Sequence, residues 1–341
     1  MKITGEKRIL FTLLLVIFSV SLILASLHYN FIDYPKYETR QNIHNNIIKG
    51  KPDIPNYVYF MSRVLVPYTN QLFISLLKKI MSPQNSFLLS YLLYDLFAIF
   101  FSLVSIFYFL KLFFSIDQSM VGTLFVACSM PFTFNEAYSP WTLLQPGLFS
   151  LCLIFAFVNK KQYLPFMLLM IVATLNRETS IFIPAILFLA HFDIRAALKL
   201  KIPQSLRDHL KQIVMLLVIY IIIRSSLYLY LGSEAINDRP FSYMFHRNIQ
   251  LEWARMAFIR TSVFFGFCWI FVILGYKTAP LFIKRVSLII PVYFSTIAIY
   301  AVWTETRLLT PMYPILAALL LSFIYRTGTE DSRTPDRRLS P

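Results

Sequence analysis

The stretch YLPFMLLMIVATLNRETSIFIPAILFLAH, residues 163–191, places Asn176, Arg177 and Glu178 between two apolar runs. Three consecutive polar residues do not stay in hydrocarbon without partners, because an ionised side chain at the bilayer centre costs roughly 2.5–3.5 kcal/mol on insertion scales. The triplet therefore marks either a turn at a membrane face or a buried polar site. In the simpler interpretation it is an interfacial turn from which Arg177 reaches lipid headgroups.

The composition of the whole chain is that of a polytopic membrane protein. Hydrophobic residues make up 57% of its 341 residues and charged residues 14%, which excludes an ordinary soluble domain. The net charge of +15 comes from small basic clusters between apolar runs, a pattern typical of loops that face anionic lipid rather than nucleic acid. The three cysteines lie inside apolar runs without metal-ligand spacing, so we predict packed thiols and no disulfide.

Ten apolar runs predict an all-α fold, a polytopic transmembrane helical bundle over residues 1–325. The first run is too long for the apolar segment of a signal peptide, so we expect it to stay as a membrane span. Residues 326–341 are rich in Arg, Asp, Ser and Pro and predict a disordered cytoplasmic tail. The ten runs are residues 9–27, 87–110, 120–134, 143–158, 163–175, 180–189, 213–231, 262–276, 286–303 and 308–325.

Charge placement predicts the orientation of these spans in a plasma membrane. If the amino terminus is cytoplasmic and ten spans alternate, the basic loops at residues 159–161 and 195–211 face the cytoplasm, as does the carboxyl terminus. The outer face then holds residues 29–85, which form the first outer loop, with an amphipathic helix predicted over residues 64–80. Every outer connection carries a carboxylate, so we expect any functional site on that face. The other outer connections are residues 136–141, 176–178, 232–261 and 303–307.

Chemistry on a lipid phosphate beside the bilayer needs a cation to neutralise the anion and a carboxylate to accept a proton. Arginine suits the first role because its planar fork holds two oxygens while it stays charged. Simpler roles remain open for all of these residues, as interfacial anchors, solvated loop charges or capping groups. The candidate cations are Arg63, Arg177 and Arg307, and the candidate carboxylates are Asp33, Glu38 and Glu178, with Glu305 as a pairing partner.

Two further charges lie deep inside predicted spans. Arg224 falls about 10 Å from the outer end of its span, at 1.5 Å per residue, and Asp95 is similarly embedded. A buried pair between them would neutralise both. In the alternative, Arg224 lines a cavity open to the outer leaflet and contacts a lipid phosphate.

Several short motifs resemble those of multi-span glycosyltransferases of the GT-C fold, as found among uncharacterised bacterial membrane proteins. Asp33 follows the first span, as the catalytic carboxylate of that family does in its first outer loop. Residues 59–68, YFMSRVLVPY, are similar to an aromatic-Arg-Val-Leu-x-Pro stretch. The Asn-Arg-Glu turn at 176–178 and the Glu-x-Arg at 305–307 complete the likeness.

The resemblance implies transfer of a sugar from a polyprenyl-phosphate donor to an outer-leaflet or periplasmic glycan or lipid acceptor, with inversion at the anomeric carbon. It makes Asp33 the expected general base and Glu38 its substitute. No cofactor is expected, but the chain lacks the family's Asp-Asp or Asp-x-Asp pair, which leaves the base and a divalent metal open. The resemblance gives Arg177 and Arg307 the role of holding the donor phosphate. The residues expected to bind substrate are Arg63, Asn176, Arg177, Glu178, Glu305 and Arg307 from these motifs, and Arg224 from its depth in its span.

Three other classes of protein fit the same pattern. A flippase or transporter of lipid-linked saccharides would share the cationic cavity but need no base, and many such transporters contain internal repeats, which we do not find here. A polysaccharide polymerase or ligase also works on polyprenyl-linked glycans, usually with one large outer loop. If the protein is only a structural partner of another membrane protein, its function should not depend on any single charged residue of the outer face.

Overall fold

The computed structural model describes residues 5–49, 63–134, 140–158, 163–192, 204–231, 246, 248–301 and 305–325. Within these residues the fold is all-helical and contains no strand, which confirms the predicted fold class at that level. The predicted tail, the basic loop at 159–161 and residues 59–62 of the motif at 59–68 lie outside the described residues.

Fifteen α-helices are described in these ranges. Pro83 begins one long helix behind the cap Ser82, whose hydroxyl accepts the Asn85 amide, and a Ser115–Gln118 capping box begins the next. The helices are α1 Gly5–His28, α2 Tyr37–Lys49, α3 Leu65–Leu77, α4 Pro83–Leu110, α5 Ile116–Ser129, α6 Pro140–Leu143, α7 Gln145–Val158, α8 Tyr163–Asn176, α9 Phe182–His191, α10 Gln204–Leu231, α11 Leu251–Phe264, α12 Trp269–Thr278, α13 Leu281–Val286, α14 Ile289–Tyr300 and α15 Tyr313–Tyr325.

Within the described residues, six helical segments are long and apolar enough to cross a membrane, and a seventh is added if α11 and α12, bent by 61°, form one span. The segments Tyr163–Asn176 and Glu178–His191 are apolar but only 14 residues each, about 21 Å at 1.5 Å per residue. The structure therefore supports a multi-pass membrane protein with six or seven spans by length, fewer than the ten predicted. The six are Ile9–Asp33, Pro83–Leu110, Pro140–Val158, Leu206–Tyr230, Leu281–Ile299 and Thr306–Tyr325.

The tightest helix contact in the core is made by α12 and α15. A Cβ built on Gly275 would lie 2.0 Å from the Leu319 carbonyl oxygen, so only glycine fits at that position. Just before α12, the ring of Phe264, the last residue of α11, stacks on Tyr313 at the start of α15 with centroids 4.8 Å apart. At the end of α12, the Thr278 hydroxyl donates to the Ser322 carbonyl further along α15. These contacts show that α12 is parallel to α15.

Contacts of α8 show that it runs antiparallel to α7. The ring of Phe166, near the start of α8, packs edge-on against Phe155, near the end of α7. At the opposite ends, the Asn176 side-chain amide donates a 2.9 Å hydrogen bond to the Trp141 carbonyl. The carboxyl end of α8 therefore lies beside the amino end of the α6–α7 segment.

The segment after the triplet runs the other way. The Gln145 side-chain amide donates a 2.6 Å hydrogen bond to the Thr179 hydroxyl, and further along α7 the Cys152 thiol contacts the Ile183 carbonyl at 3.8 Å. This segment is parallel to α7 and therefore antiparallel to α8. The chain reverses direction at Asn176-Arg177-Glu178, as the turn interpretation predicts.

Other helix ends meet near this reversal. The Thr306 hydroxyl donates to the Phe132 carbonyl, which brings the segment before α15 to the end of α5. The neighbouring Phe134 packs edge-on against His28 at the end of α1, with ring centroids 5.0 Å apart. The structure thus gathers the end of α1, the end of α5, the start of α7 and the segment before α15 at one end of the bundle, which we call the triplet end.

The amphipathic helix predicted over residues 64–80 is present as α3. Its buried side carries Val66, Asn70 and Ile74, and Asn70 accepts a 2.6 Å hydrogen bond from Ser90 of α4. Its apolar stripe is exposed, so this side faces away from the protein, as a helix at a membrane surface requires. The stripe consists of Tyr68, Leu72 and Leu76, and the exposed Ile80 follows in the turn after the helix.

Candidate functional site

The triplet end contains an arginine cluster centred on Glu178. Arg63, just before α3, donates two hydrogen bonds to its carboxylate, Nε to Oε2 at 3.1 Å and Nη2 to Oε1 at 2.5 Å. Arg177 contacts the same carboxylate, with Nε 3.5 Å from Oε1. One carboxylate is therefore shared by two guanidiniums, and both arginines are buried.

Local backbone structure explains how Arg177 reaches this position. Its amide still bonds to the Ala173 carbonyl at 2.8 Å as the last turn of α8, but its own φ of −165° and ψ of 150° are extended. The helix therefore ends at this residue, and Glu178 begins a 3₁₀ turn. Asn176 fixes the turn to the Trp141 carbonyl, while the Trp141 indole donates to the Arg63 carbonyl at 2.9 Å.

Arg307 joins the cluster from the turn that precedes α15. It is 4% exposed and pairs with Glu305, with Nη2 2.8 Å and Nε 3.2 Å from one carboxylate oxygen. Arg307 lies near enough to Arg177 for the two charges to repel. Sequence positions 63, 177 and 307 thus converge although more than 100 residues separate each from the next.

Arg177 is the member of the cluster whose polar atoms are least satisfied. Burial, and then the repulsion of Arg63, lower the pKa of its guanidinium to about 10, which leaves it charged at neutral pH. Its Nε and Nη1 atoms are buried and have no hydrogen-bond partner among the described residues, and the same holds for the amide oxygen of Asn176. A buried guanidinium with unpaired N–H groups is suited to an anion that accepts hydrogen bonds.

A second cluster at the triplet end is acidic and surrounds His28. The His28 Nδ1 atom lies 2.5 Å from Asp95 Oδ2 and 3.5 Å from Asp33 Oδ2. Arg40 of α2 forms an ion pair with Asp33 and stands over the ring of Tyr91, 5.3 Å from its centroid. His28, Asp33, Arg40 and Asp95 are each no more than 3% exposed. We call these four residues the acidic cluster.

The polar contacts of this region continue along α2 to His44. Its Nε2 atom lies 2.9 Å from Gln71 Oε1 and its Nδ1 atom 3.2 Å from the Tyr91 hydroxyl. Burial lowers the pKa of His44, which its hydrogen bond with Gln71 partly opposes. The neutral ring therefore donates from Nε2 to Gln71 and accepts at Nδ1 from Tyr91.

The structure brings together most of the residues assigned to substrate binding. Three of them, Arg63, Arg177 and Glu178, meet directly. Asn176 is held beside them through Trp141, and Arg307 pairs with Glu305 nearby. Arg224 is half-buried on α10, one turn after Tyr220, whose hydroxyl donates to the Glu178 carbonyl at 3.3 Å.

The two candidate bases lie apart from the arginine cluster. Asp33 is buried in the acidic cluster with 1% exposure, whereas Glu38 is exposed in the first turn of α2. The predicted pair between Asp95 and Arg224 is replaced by another one, because the close partner of Asp95 is His28.

Sequence reasoning missed His28 and Arg40 as members of the acidic cluster, and His44 as a polar residue next to it. The available signal was Asp95 itself, since a carboxylate inside an apolar run needs a nearby cation or proton donor. His28 is the polar residue at the end of the first apolar run and could have been chosen on that ground.

Comparisons with known proteins identify no relative. No family model, curated protein or solved structure matches this chain.

Proposed function

We propose that this protein is a membrane glycosyltransferase that moves a sugar from a polyprenyl-phosphate donor to an acceptor on the extracytoplasmic face. The proposal includes a GT-C-like bundle in which all ten apolar segments cross the membrane. The short segments cross it while packed against neighbouring helices. The alternating direction of α7, α8 and the segment after the triplet supports this arrangement.

The observation that carries the proposal is the state of Arg177. It is a buried, charged guanidinium in which Nε and Nη1 make no hydrogen bond to the described residues, and its carboxylate partner Glu178 is shared with Arg63. A phosphate oxygen would supply the missing acceptor. Arg307, whose charge lies near enough to repel that of Arg177, would add positive charge to the same site.

A lipid-linked donor also needs an apolar surface for its chain beside this phosphate site. Helix α10 passes the triplet, as the bond from Tyr220 to Glu178 shows, and its outer side carries the exposed residues Ile221 and Ile222. A polyprenyl chain can lie along that side with its phosphate turned towards Arg177. Arg224, on the same helix, would then contact the phosphate from the membrane side.

In the proposed reaction a hydroxyl of the acceptor attacks the anomeric carbon of the sugar. The bond from that carbon to the phosphate oxygen breaks, the new glycosidic bond forms with inversion, and the phosphate leaves with the electron pair. Arg177 and Arg307 stabilise the charge that grows on the departing phosphate. A carboxylate accepts the proton of the attacking hydroxyl.

Access favours Glu38 over Asp33 as that carboxylate. Asp33 is enclosed and already contacts Arg40 and His28, whereas Glu38 is exposed and free to meet an acceptor from outside. The exposed position of Glu38 supports its assignment as general base, and Asp33 remains the alternative that the family resemblance prefers.

The test is transfer of radiolabelled sugar from a panel of polyprenyl-monophosphate sugars by the full-length protein in proteoliposomes. The parent is compared with Arg177→Ala, Glu38→Gln and Asp33→Asn. Arg207→Ala serves as the matched control, because Arg207 is an exposed arginine at the start of α10, away from the triplet. We expect the parent and the control to transfer label and Arg177→Ala to fail.

Three outcomes would overturn the proposal. If labelled lipid crosses the bilayer with no donor consumed, the protein is a flippase of lipid-linked saccharides. If Arg177→Ala transfers label as fast as the parent, the arginine cluster does not hold the donor. Donors that carry a pyrophosphate belong in the same panel, because their exclusive use would indicate a polymerase or ligase instead.

A further inference from the structure

The acidic cluster brings together three side chains of the types that bind metal ions. His28, Asp33 and Asp95 each offer one ligand atom, and these atoms lie within 4.8 Å of one another. An ion with bonds of about 2.1 Å and tetrahedral geometry needs its ligand atoms about 3.4 Å apart. The 3.5 Å between His28 Nδ1 and Asp33 Oδ2 already meets this distance, and the contact from His28 to Asp95 has to open from 2.5 Å.

A local irregularity of the helix places two of these ligands on one side. Residues Tyr29–Asp33 continue α1 as a π-helical turn, with the Tyr34 amide bonded to the Tyr29 carbonyl. In a regular α-helix, residues five apart point about 140° away from each other, given 3.6 residues per turn. The wider turn reduces that angle and brings His28 and Asp33 together. Single π turns of this kind are frequent at functional sites.

Unpaired carboxylate oxygens give independent evidence for a ligand. Asp95 is 0% exposed, and its Oδ1 atom has no hydrogen-bond partner among the described residues. The two oxygens of Asp33 also accept no hydrogen bond there and are held only by ion pairs. Buried carboxylate oxygens are normally satisfied by hydrogen bonds or by metal coordination.

We propose that His28, Asp33 and Asp95 bind one divalent cation. One imidazole nitrogen and two carboxylates suit Zn²⁺ or Mn²⁺ better than Mg²⁺, which prefers oxygen ligands and retains several waters. The ion takes the place of the proton between His28 and Asp95, and that proton leaves to solvent as the ion binds. The site stands apart from the arginine cluster, and the inference does not depend on the proposed transferase activity.

Arg40 gives the proposal its sharpest test. Its guanidinium pairs with Asp33 and so neutralises negative charge that would otherwise attract a bound cation. Arg40→Gln removes this competing charge, and we expect it to tighten cation binding by about tenfold. If the four residues formed only an ion-pair network, the same substitution would leave cation affinity unchanged and only weaken the fold.

The experiment measures binding directly in the purified full-length protein in detergent, after chelation and removal of the chelator. Free Mn²⁺ is followed by electron paramagnetic resonance during titration, and Zn²⁺ by its content per chain after gel filtration. We expect one ion per chain, with affinity at least about tenfold lower in Asp95→Asn. Asp117→Asn is the matched control, because Asp117 is an exposed carboxylate at the start of α5.

Three results would contradict the proposal. The first is the absence of a saturable site in the parent. The second is binding that Asp95→Asn retains in full, which would place the ion elsewhere. The third is an Arg40→Gln variant that folds but binds no more tightly than the parent. None of these bears on sugar transfer, and loss of transfer with intact cation binding would overturn only the proposed function.

Discussion

The acidic cluster around His28 and the arginine cluster around Glu178 lie at the same end of the bundle but satisfy their charges differently. In the acidic cluster two carboxylates surround one imidazole and one guanidinium, and all four residues are closed off from solvent. In the arginine cluster three guanidiniums surround two carboxylates, and Glu178 is still 37% exposed at its side chain. An enclosed cluster contributes mainly to the fold or to a bound ion, whereas a partly open one can receive a ligand from outside.

The largest effect is expected from breaking the enclosed cluster. Asp33→Asn leaves Arg40 buried without its ion-pair partner, and loss of one member of a buried pair costs about 3–5 kcal/mol. The free energy of unfolding of the purified protein, or its Tm in detergent, measures this loss. The double variant Asp33→Asn/Arg40→Gln should recover part of the stability, because it removes both charges. Equal stability of Asp33→Asn and the parent would show that the pair is not formed.

A substitution in the arginine cluster should have the opposite effect, because it should lower ligand affinity rather than stability. Arg177→Ala removes a charge-assisted donor worth about 1.5–3 kcal/mol, so polyprenyl monophosphate should bind about ten- to a hundredfold more weakly. The unfolding temperature should change little, since the substitution also removes a buried charge that Arg63 repels. Binding is measured by titration in detergent, with Arg207→Ala as control. A variant that unfolds early but binds normally would make Arg177 structural.

A smaller effect is expected at Arg224, which tests how far the arginine cluster extends along α10. Arg224 is half-buried, and its Nη1 atom has no hydrogen-bond partner among the described residues. Arg224→Leu should weaken binding of the same lipid by about fivefold, equivalent to one hydrogen bond of about 1 kcal/mol, with no loss of Tm. Arg224→Lys keeps the charge and should retain most of the affinity. If Arg224→Leu binds like the parent, the ligand does not reach this helix.

The sequence predicted the helical fold and the turn at 176–178 because apolar length and a polar interruption act locally. Alternation of the ten predicted spans also placed Arg63, Arg177 and Arg307 on one face, and in the structure Arg63 and Arg177 contact the same carboxylate. It could not predict that Arg63 pairs with Glu178 or that Asp95 pairs with His28. Such pairs depend on which helices are neighbours and on the rotation of each helix about its axis. The π turn before Tyr34, which moves Asp33 next to His28, has no signal in apolar periodicity.

The smallest effect we expect is a dependence of stability on pH. It comes from His44, which lies on the same side of the molecule as the acidic cluster. Burial lowers the pKa of His44, so the unfolded chain takes up a proton at this residue first as the pH falls below about 6.5. The stability contributed by neutral His44 is therefore present above that pH and is lost below it, with a slope of at most about 1.4 kcal/mol per pH unit. The arginines stay charged throughout this range and add no slope.

His44→Gln removes the titrating ring but leaves an amide near Gln71 and Tyr91. The difference in Tm between the parent and this variant should stay constant above pH 7 and shrink as the pH falls to 5, because only the parent loses stability from this residue. Parallel curves over the whole range would mean that His44 takes up its proton equally well in the folded state, and the contacts with Gln71 and Tyr91 would then not depend on the neutral ring.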